Sequence, residues 1–208
     1  MTQTRSNSLQ QPPAPNGFEP LPASACWKHG ELQIGFETSF FRPEKQGWLL
    51  SGSTSGIEDG VAWVVDYELV VDSRWRTRLA VIRNRSESGT RSIRLESEGD
   101  GVWSLDGSPV PQLDGCFDVD LESSAMTNML PVHRLALDVE DRADAPAAYV
   151  RAVDLRVERL EQVYSRIENE RGLQRFEYLS VDDDFRSTLR YDSSGLVLDY
   201  PGIAVRFA

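Results

Sequence analysis

Cysteine and histidine are scarce in this chain. Its 208 residues include two of each: Cys26, Cys116, His29 and His133. Two cysteines cannot build a disulfide scaffold, and their sparsity fits a reduced, cytoplasmic setting. Neither histidine stands in a recognisable ligand spacing, so no metal or cofactor is implied; a mixed Cys116, Asp118 and His133 site would be unusual. Positive charge is short as well, with 22 Lys and Arg against 33 Asp and Glu and a net charge of −11. Nucleic acids and anionic lipid surfaces need concentrated Lys and Arg, so neither is an expected partner. No apolar run approaches the ~18 residues of a spanning helix, which argues against stable membrane insertion. The basic start and apolar segment of a signal peptide are missing from the first 22 residues. There is no G-x-S-x-G elbow, no Gly-rich phosphate loop and no internal repeat at a period of about 20 to 50 residues.

What is present is alternation. From Val61 to Val71 every odd position is apolar, while Asp66, Glu68 and Asp72 fall on the even face. A period of two predicts a strand with one buried face. Leu32, Ile34, Phe36 and Phe40 predict the same for the preceding strand. Trp75, Thr77, Leu79 and Val81 do so for the next, with Arg74, Arg76 and Arg78 opposite, followed by Ile93 and Leu95. Asp-Gly pairs at 59–60, 100–101, 106–107 and 114–115, with Pro201-Gly202, supply the positive φ that tight turns require. Such short strands form an antiparallel sheet that must curl to cover its face and edges. Residues 1–22, rich in Gln, Ser, Asn and Pro, read as a flexible tail, with Phe18 and Leu21 as the points that could dock. Residues 23–208 read as a single domain.

Two segments carry helical signals. Ser123 or Ser124 can cap a turn through Met126, Met129 and Leu130, and Pro131 keeps that helix short or kinked. Leu160, Val163, Tyr164 and Ile167 follow helical spacing between Val157 and Glu168, with Gly172 as a terminator.

Candidate functional residues cluster in the same region. Cys116, Asp118 and Asp120 share one strand face. Same-face neighbours lie about 6.6 Å apart, within the roughly 5 to 9.5 Å that glycoside chemistry needs between two carboxyl groups. The competing reading pairs both aspartates with arginines such as Arg76, Arg78 or Arg134, and this pairing is preferred. Two carboxylates beside Cys116 disfavour its thiolate. The ladder of Arg74, Arg76 and Arg78 suits carboxylate or phosphate recognition, or cross-strand pairing with those aspartates. Trp63, Tyr67, Trp75, Trp103, Tyr164, Tyr178 and Tyr200 offer faces for sugar stacking and walls for acyl chains, or simply a core. Asn128 and Arg134 flank the proline turn as polar contacts, or as caps for neighbouring loops.

Leu113, Gly115, Cys116, Asp118, Val119, Asp120 and Leu121 form one ordered motif, and Thr127, Asn128, Leu130, Pro131, Arg134 and Leu135 form a second. With Trp75-Arg76-Thr77-Arg78, Asp100-Gly101-Val102-Trp103, Gln162-x-Tyr164, Phe176-x-Tyr178 and Gly195-Leu196-Val197, this order resembles the putative glycolipid-binding family. Ala125, Met129 and His133 depart from its pattern, as does Ile203-Ala204-Val205, where the family often has a tryptophan after Pro-Gly. The resemblance implies a mainly β fold, a many-stranded antiparallel spiral β-roll wrapped around a single short helix, often as a homodimer, and it favours a strand over the helix that periodicity suggests between Val157 and Glu168. It also implies a binder or carrier of a glycolipid or other amphipathic small molecule. The expected ligand contacts are Arg76, Arg78, Trp103, Asp118, Asp120, Asn128, Arg134, Tyr164 and Tyr200. The alternatives are an enzyme acting on an apolar or glycosylated small molecule in the roll cavity, with Asp118 and Asp120 as acid and base, and a scaffold without a ligand.

Overall fold

The computed structural model describes residues 17–30, 34–58 and 60–208. Leu32, Asp59 and residues 1–16 of the expectations above lie outside the described residues. Six strands begin the fold: β1 (Ser24–His29), β2 (Ile34–Glu44), β3 (Gly47–Glu58), β4 (Val61–Asp72), β5 (Thr77–Ser86) and β6 (Gly89–Ser97). Two short ones follow, β7 (Trp103–Leu105) and β8 (Ser108–Pro109), and then β9 (Asp118–Leu121). A 3-10 turn (Met126–Asn128) leads into the helix α1 (Met129–Leu135). Beyond it come β10 (Arg142–Asp144), β11 (Ala147–Val150) and β12 (Val157–Leu160). The last strands are β13 (Gln162–Glu170), β14 (Leu173–Ser180), β15 (Phe185–Tyr191), β16 (Val197–Tyr200) and β17 (Ala204–Arg206).

Fourteen strands make one antiparallel sheet in the order β10-β13-β14-β15-β16-β17-β1-β2-β3-β4-β5-β6-β7-β8. The mainly β roll with one short helix is thus what the chain forms, and 157–170 is strand rather than helix. A second sheet, β12-β11-β9, contains a parallel pair between β9 and β11. A parallel pair needs a crossover connection, and here the crossover contains α1.

β4 buries Trp63, Val65, Tyr67, Leu69 and Val71, as its alternation requires. Each such side chain contributes about 1.5–3 kcal/mol by leaving water. Asp106 and Gly107 both have positive φ (50° and 80°), the geometry of a two-residue hairpin loop, and they join β7 to β8. Gly101 and Gly115 meet backbone to backbone, with Gly115 N–H donating to Gly101 C=O at 2.8 Å. A Cβ on Gly101 would lie 3.2 Å from the Gly115 Cα.

Two strand readings need correction. β2 turns its apolar positions outward: Ile34 is 71% exposed, Phe36 55% and Phe40 54%, while Glu37, Ser39 and Phe41 are buried. β5 starts at Thr77, because Trp75 sits in a turn with φ of 62°. A bulge opposite Val70 and Val71 then shifts the register. An inserted residue reverses the phase of a strand, so Ala80, Ile82 and Asn84 face inward and Leu79 and Val81 do not.

The core has two parts bridged by the helical segment. Met126, Met129 and Leu130 pack with Trp27, Trp63, Trp103 and the β4 stripe. Val132 packs with the tyrosine-rich set Tyr164, Tyr178, Tyr191 and Tyr200. Pro131 lies in the first turn of α1, where its missing N–H has no helical partner to lose. Of the expected tail, Leu21 is buried and the Phe18 ring packs on His133 with centroids 4.4 Å apart.

Candidate functional site

Neither Ser123 nor Ser124 caps the helical segment. The buried carboxylate of Glu37, projecting inward from β2, accepts from the backbone N–H of Ala125 (2.8 Å) and Met126 (3.4 Å) and from the Ser124 hydroxyl. Tyr67 also donates its hydroxyl to Glu37, at 2.7 Å. A negative group at the start of a helical segment meets the unpaired N–H groups there. The polar inward face of β2 therefore ties the roll to its central helix. Glu37 was missed from sequence because a single Glu on a strand reads as solvent-facing.

A cleft of about 670 Å³ lies between the small sheet and the β14–β16 end of the large one, with Ser124 of that clamp in its lining. Asp120 enters it from β9, Asn128 from the 3-10 turn, Tyr149 from β11, Tyr178 from β14, Phe185 from β15 and Tyr200 from β16. Leu121, Leu160 and Ile203 add apolar wall, and the turn at Asp182 and Asp183 forms part of the lining. Ile203 follows Pro-Gly, so the departure from the family pattern falls on the cleft wall.

Asp120 accepts from the Thr127 hydroxyl at 2.8 Å and from Gln162 Nε2 at 2.5 Å. Burial pushes its carboxyl up to about 6, against the lowering effect of those two donors. Among the described residues no arginine holds it, contrary to the expected pairing. Gln162 Nε2 also lies 3.2 Å from the Tyr178 hydroxyl. The Tyr178 ring meets Tyr164, Phe185 and Tyr200 edge-on at 5.3–6.2 Å. Burial raises the phenols of Tyr149, Tyr178 and Tyr200, so all three stay protonated donors. At the rim, Arg151 bridges Glu122 and Glu158, both at 2.8 Å, with its guanidinium 5.1 Å from the Tyr149 ring centroid.

Of the nine residues expected to touch ligand, the cleft brings together Asp120, Asn128 and Tyr200. Asp118 instead takes both Nε and Nη2 of Arg134 at 2.6–3.1 Å, one of the pairings expected. With Asp118 so bound, the Asp118/Asp120 acid–base pair does not assemble in the cleft. Tyr164 is buried and donates to Asn128 Oδ1 at 2.9 Å. Trp103 is buried and donates to the Cys116 carbonyl at 2.8 Å. The arginine ladder is dispersed: Arg76 donates to Gly99 C=O and lies over Phe117, while Arg78 donates to Ser97 C=O and pairs with Glu98. Burial raises the Cys116 thiol to about 11, which keeps it protonated. No cluster of three or more metal-ligating side chains occurs among the described residues. Sequence reasoning left Tyr149, Tyr178 and Phe185 out of the site. Tyr178 had the aromatic signal, but its position beside Asp120 comes only from the wrapping of the sheet.

Residues 24–206 match the model of a family described as putative glycolipid-binding. The chain belongs to this family. A DUF1089 family protein from Pseudomonas aeruginosa is similar over 82% of this chain and 92% of its own, at 31% identity and a TM-score of 0.74. A β-barrel-like protein of the DUF1849 domain of unknown function from Brucella abortus covers 88% of this chain and 92% of its own. Its 10% identity and TM-score of 0.52 speak to fold alone. No curated protein matches the chain. The motif residues that carry the family likeness now have visible work: Asp118 and Arg134 lock β9 to α1, Thr127 holds Asp120, and Asn128 holds Tyr164.

Proposed function

We propose that the cleft binds an amphipathic small molecule with a sugar headgroup, such as a glycolipid, and that the protein is a binder or carrier. One observation carries this reading: a cavity walled by Tyr178, Phe185, Tyr200, Leu160 and Ile203 is also lined by carboxyl side chains, the buried Asp120 among them. Binding sites for such molecules combine apolar and aromatic walls with a few placed polar groups. A carboxylate has about four acceptor positions, and Asp120 uses two, leaving capacity for sugar hydroxyls. The family description supports the same ligand class. Assembly as a homodimer and a cytoplasmic setting belong to this proposal. Its supports are the family resemblance, the sparse cysteines, and the finding that no described helix is long and apolar enough to cross a membrane.

Calorimetry with octyl glucoside, octanol and glucose tests the reading. The glucoside is expected to bind at least tenfold more tightly than either fragment, a difference of about 1.4 kcal/mol. Phe185→Ala is expected to weaken it by a similar factor. Binding should strengthen as pH rises through about 6, when Asp120 becomes an acceptor on both oxygens. Equal affinity for octanol alone would sink the sugar part of the proposal. Release of glucose from the glucoside would favour the enzyme, with Asp120 as its acid or base.

A further inference from the structure

A second cleft, of about 520 Å³, lies on the other side of α1, beneath Phe18 and beside the 136–141 loop. The loop is pinned to β13 by two backbone bonds of 2.8 Å, Glu140 N–H to Arg166 C=O and Arg166 N–H to Asp141 C=O. Arg166 lines this cleft with Asn169, Gln174, Phe176 and Asp138. Its side chain is unusual within the molecule. Arg166 is only 7% exposed, yet no carboxylate lies within ion-pair distance among the described residues. Its guanidinium donates to three neutral oxygens: Ile167 C=O, Arg175 C=O at 3.2 Å, and Asn169 Oδ1. The Phe176 ring lies 5.2 Å away, which offsets part of the charge. A guanidinium carries five N–H donors, so the Nε–H and one Nη2–H have no partner among the described residues.

Buried charge is normally paired, because its desolvation is costly otherwise. The other deeply placed arginine, Arg134, obeys the rule through Asp118. Burial with no opposing charge also lowers the Arg166 guanidinium below its usual range, though it stays protonated at neutral pH. Among the described residues the guanidinium has no anionic partner, and a bound ligand can supply one.

We propose that the Arg166 cleft is a binding site for an organic carboxylate, held by the Nε–H and Nη2–H donors with its hydrocarbon part against Phe18 and Phe176. A planar carboxylate matches the guanidinium fork. Asp138 in the same cleft disfavours a doubly charged phosphate, since a like charge nearby opposes it. The site is separate from the sugar-binding cleft and does not depend on it.

The test uses the full chain, labelled with 15N, titrated with sodium benzoate and with benzamide at constant ionic strength. The Arg166 Nε–Hε resonance is expected to shift saturably with benzoate and not with benzamide. Arg166→Gln is expected to abolish the rise in melting temperature that benzoate gives, while octyl glucoside binding stays unchanged. An unmoved Nε–Hε signal overturns the proposal, and so does an equal response to benzamide. A stronger response to inorganic phosphate overturns the carboxylate class. If Arg166→Gln does not fold, the resonance in the native chain decides alone.

Discussion

Asp118 and Asp120, two residues apart on one strand, show how strongly local surroundings divide equal side chains. Asp118 is closed by a bidentate arginine whose side chain is 13% exposed. Removing one partner of a buried pair typically costs about 3 to 5 kcal/mol. The partial exposure of Arg134 puts Asp118→Asn near the lower end, about 3 kcal/mol, and a denaturant titration would show it. Unchanged stability would mean that the pair holds nothing. Asp120 and His133 respond to pH in opposite senses. Burial lowers His133 to about 4, so the native state holds it neutral between Trp75 and Phe18. The unfolded chain then takes up the proton first, and stability falls as pH drops from about 6.5 to 4, by about 3 kcal/mol. Asp120, raised to about 6, binds its proton more tightly when folded, so its contribution grows as pH drops through the same range. His133 and Asp120 thus oppose one another in the wild type, with the raised Asp118 carboxyl acting in the same sense as Asp120. Asp120→Asn removes part of that compensation, and its melting temperature should fall more than that of the wild type between pH 6.5 and 4. A profile parallel to the wild type would show that Asp120 does not offset His133.

At the scale of elements, periodicity is a statement about faces, not about which face is inside. β4 was legible because its apolar side is also its buried side. β2 has the same period of two, yet Glu37 and Ser39 point inward, because Tyr67 and the start of the 3-10 turn need acceptors there. The bulge that reverses β5 leaves no mark in the apolar pattern either. The Asp118–Arg134 link was readable, since both residues sit in motifs whose order is preserved. The donors on Asp120 were not, because Gln162 arrives from a strand 42 residues on. Glu37→Ala is the sharpest test of the helix clamp. It strips acceptors from Tyr67, Ser124 and Ala125, and each buried donor left unpaired costs about 1–3 kcal/mol. The expected loss is at least about 3 kcal/mol, with Glu37→Gln recovering part of it. A melting curve for Glu37→Ala that overlays the wild type would remove Glu37 from its structural role.

For the whole molecule, the mainly β fold class and the short helix could be read in advance from alternation, turn chemistry and motif order. The cleft could not. Its walls come from strands as distant as β9 and β16, which only the curling of the large sheet and the parallel β9–β11 pair bring together. The same topology governs how the protein can be made. β1 lies between β2 and β17, with Lys28 opposite Val205, and the Trp27 indole donates to Val197 C=O at 2.8 Å. The middle of the sheet is thus assembled from opposite regions of the chain, a contact of very high sequence separation that slows folding. A chain still being synthesised holds β1 to β6 as a meander with one edge of β1 unpaired, and an unpaired edge invites pairing with other chains. Ending the chain after Ile203 should therefore give an aggregating product rather than a weakened roll, visible as loss of the soluble fraction on expression. Closure of the sheet is an event for the last strand, and the time before it arrives is when this protein is most exposed to misassembly.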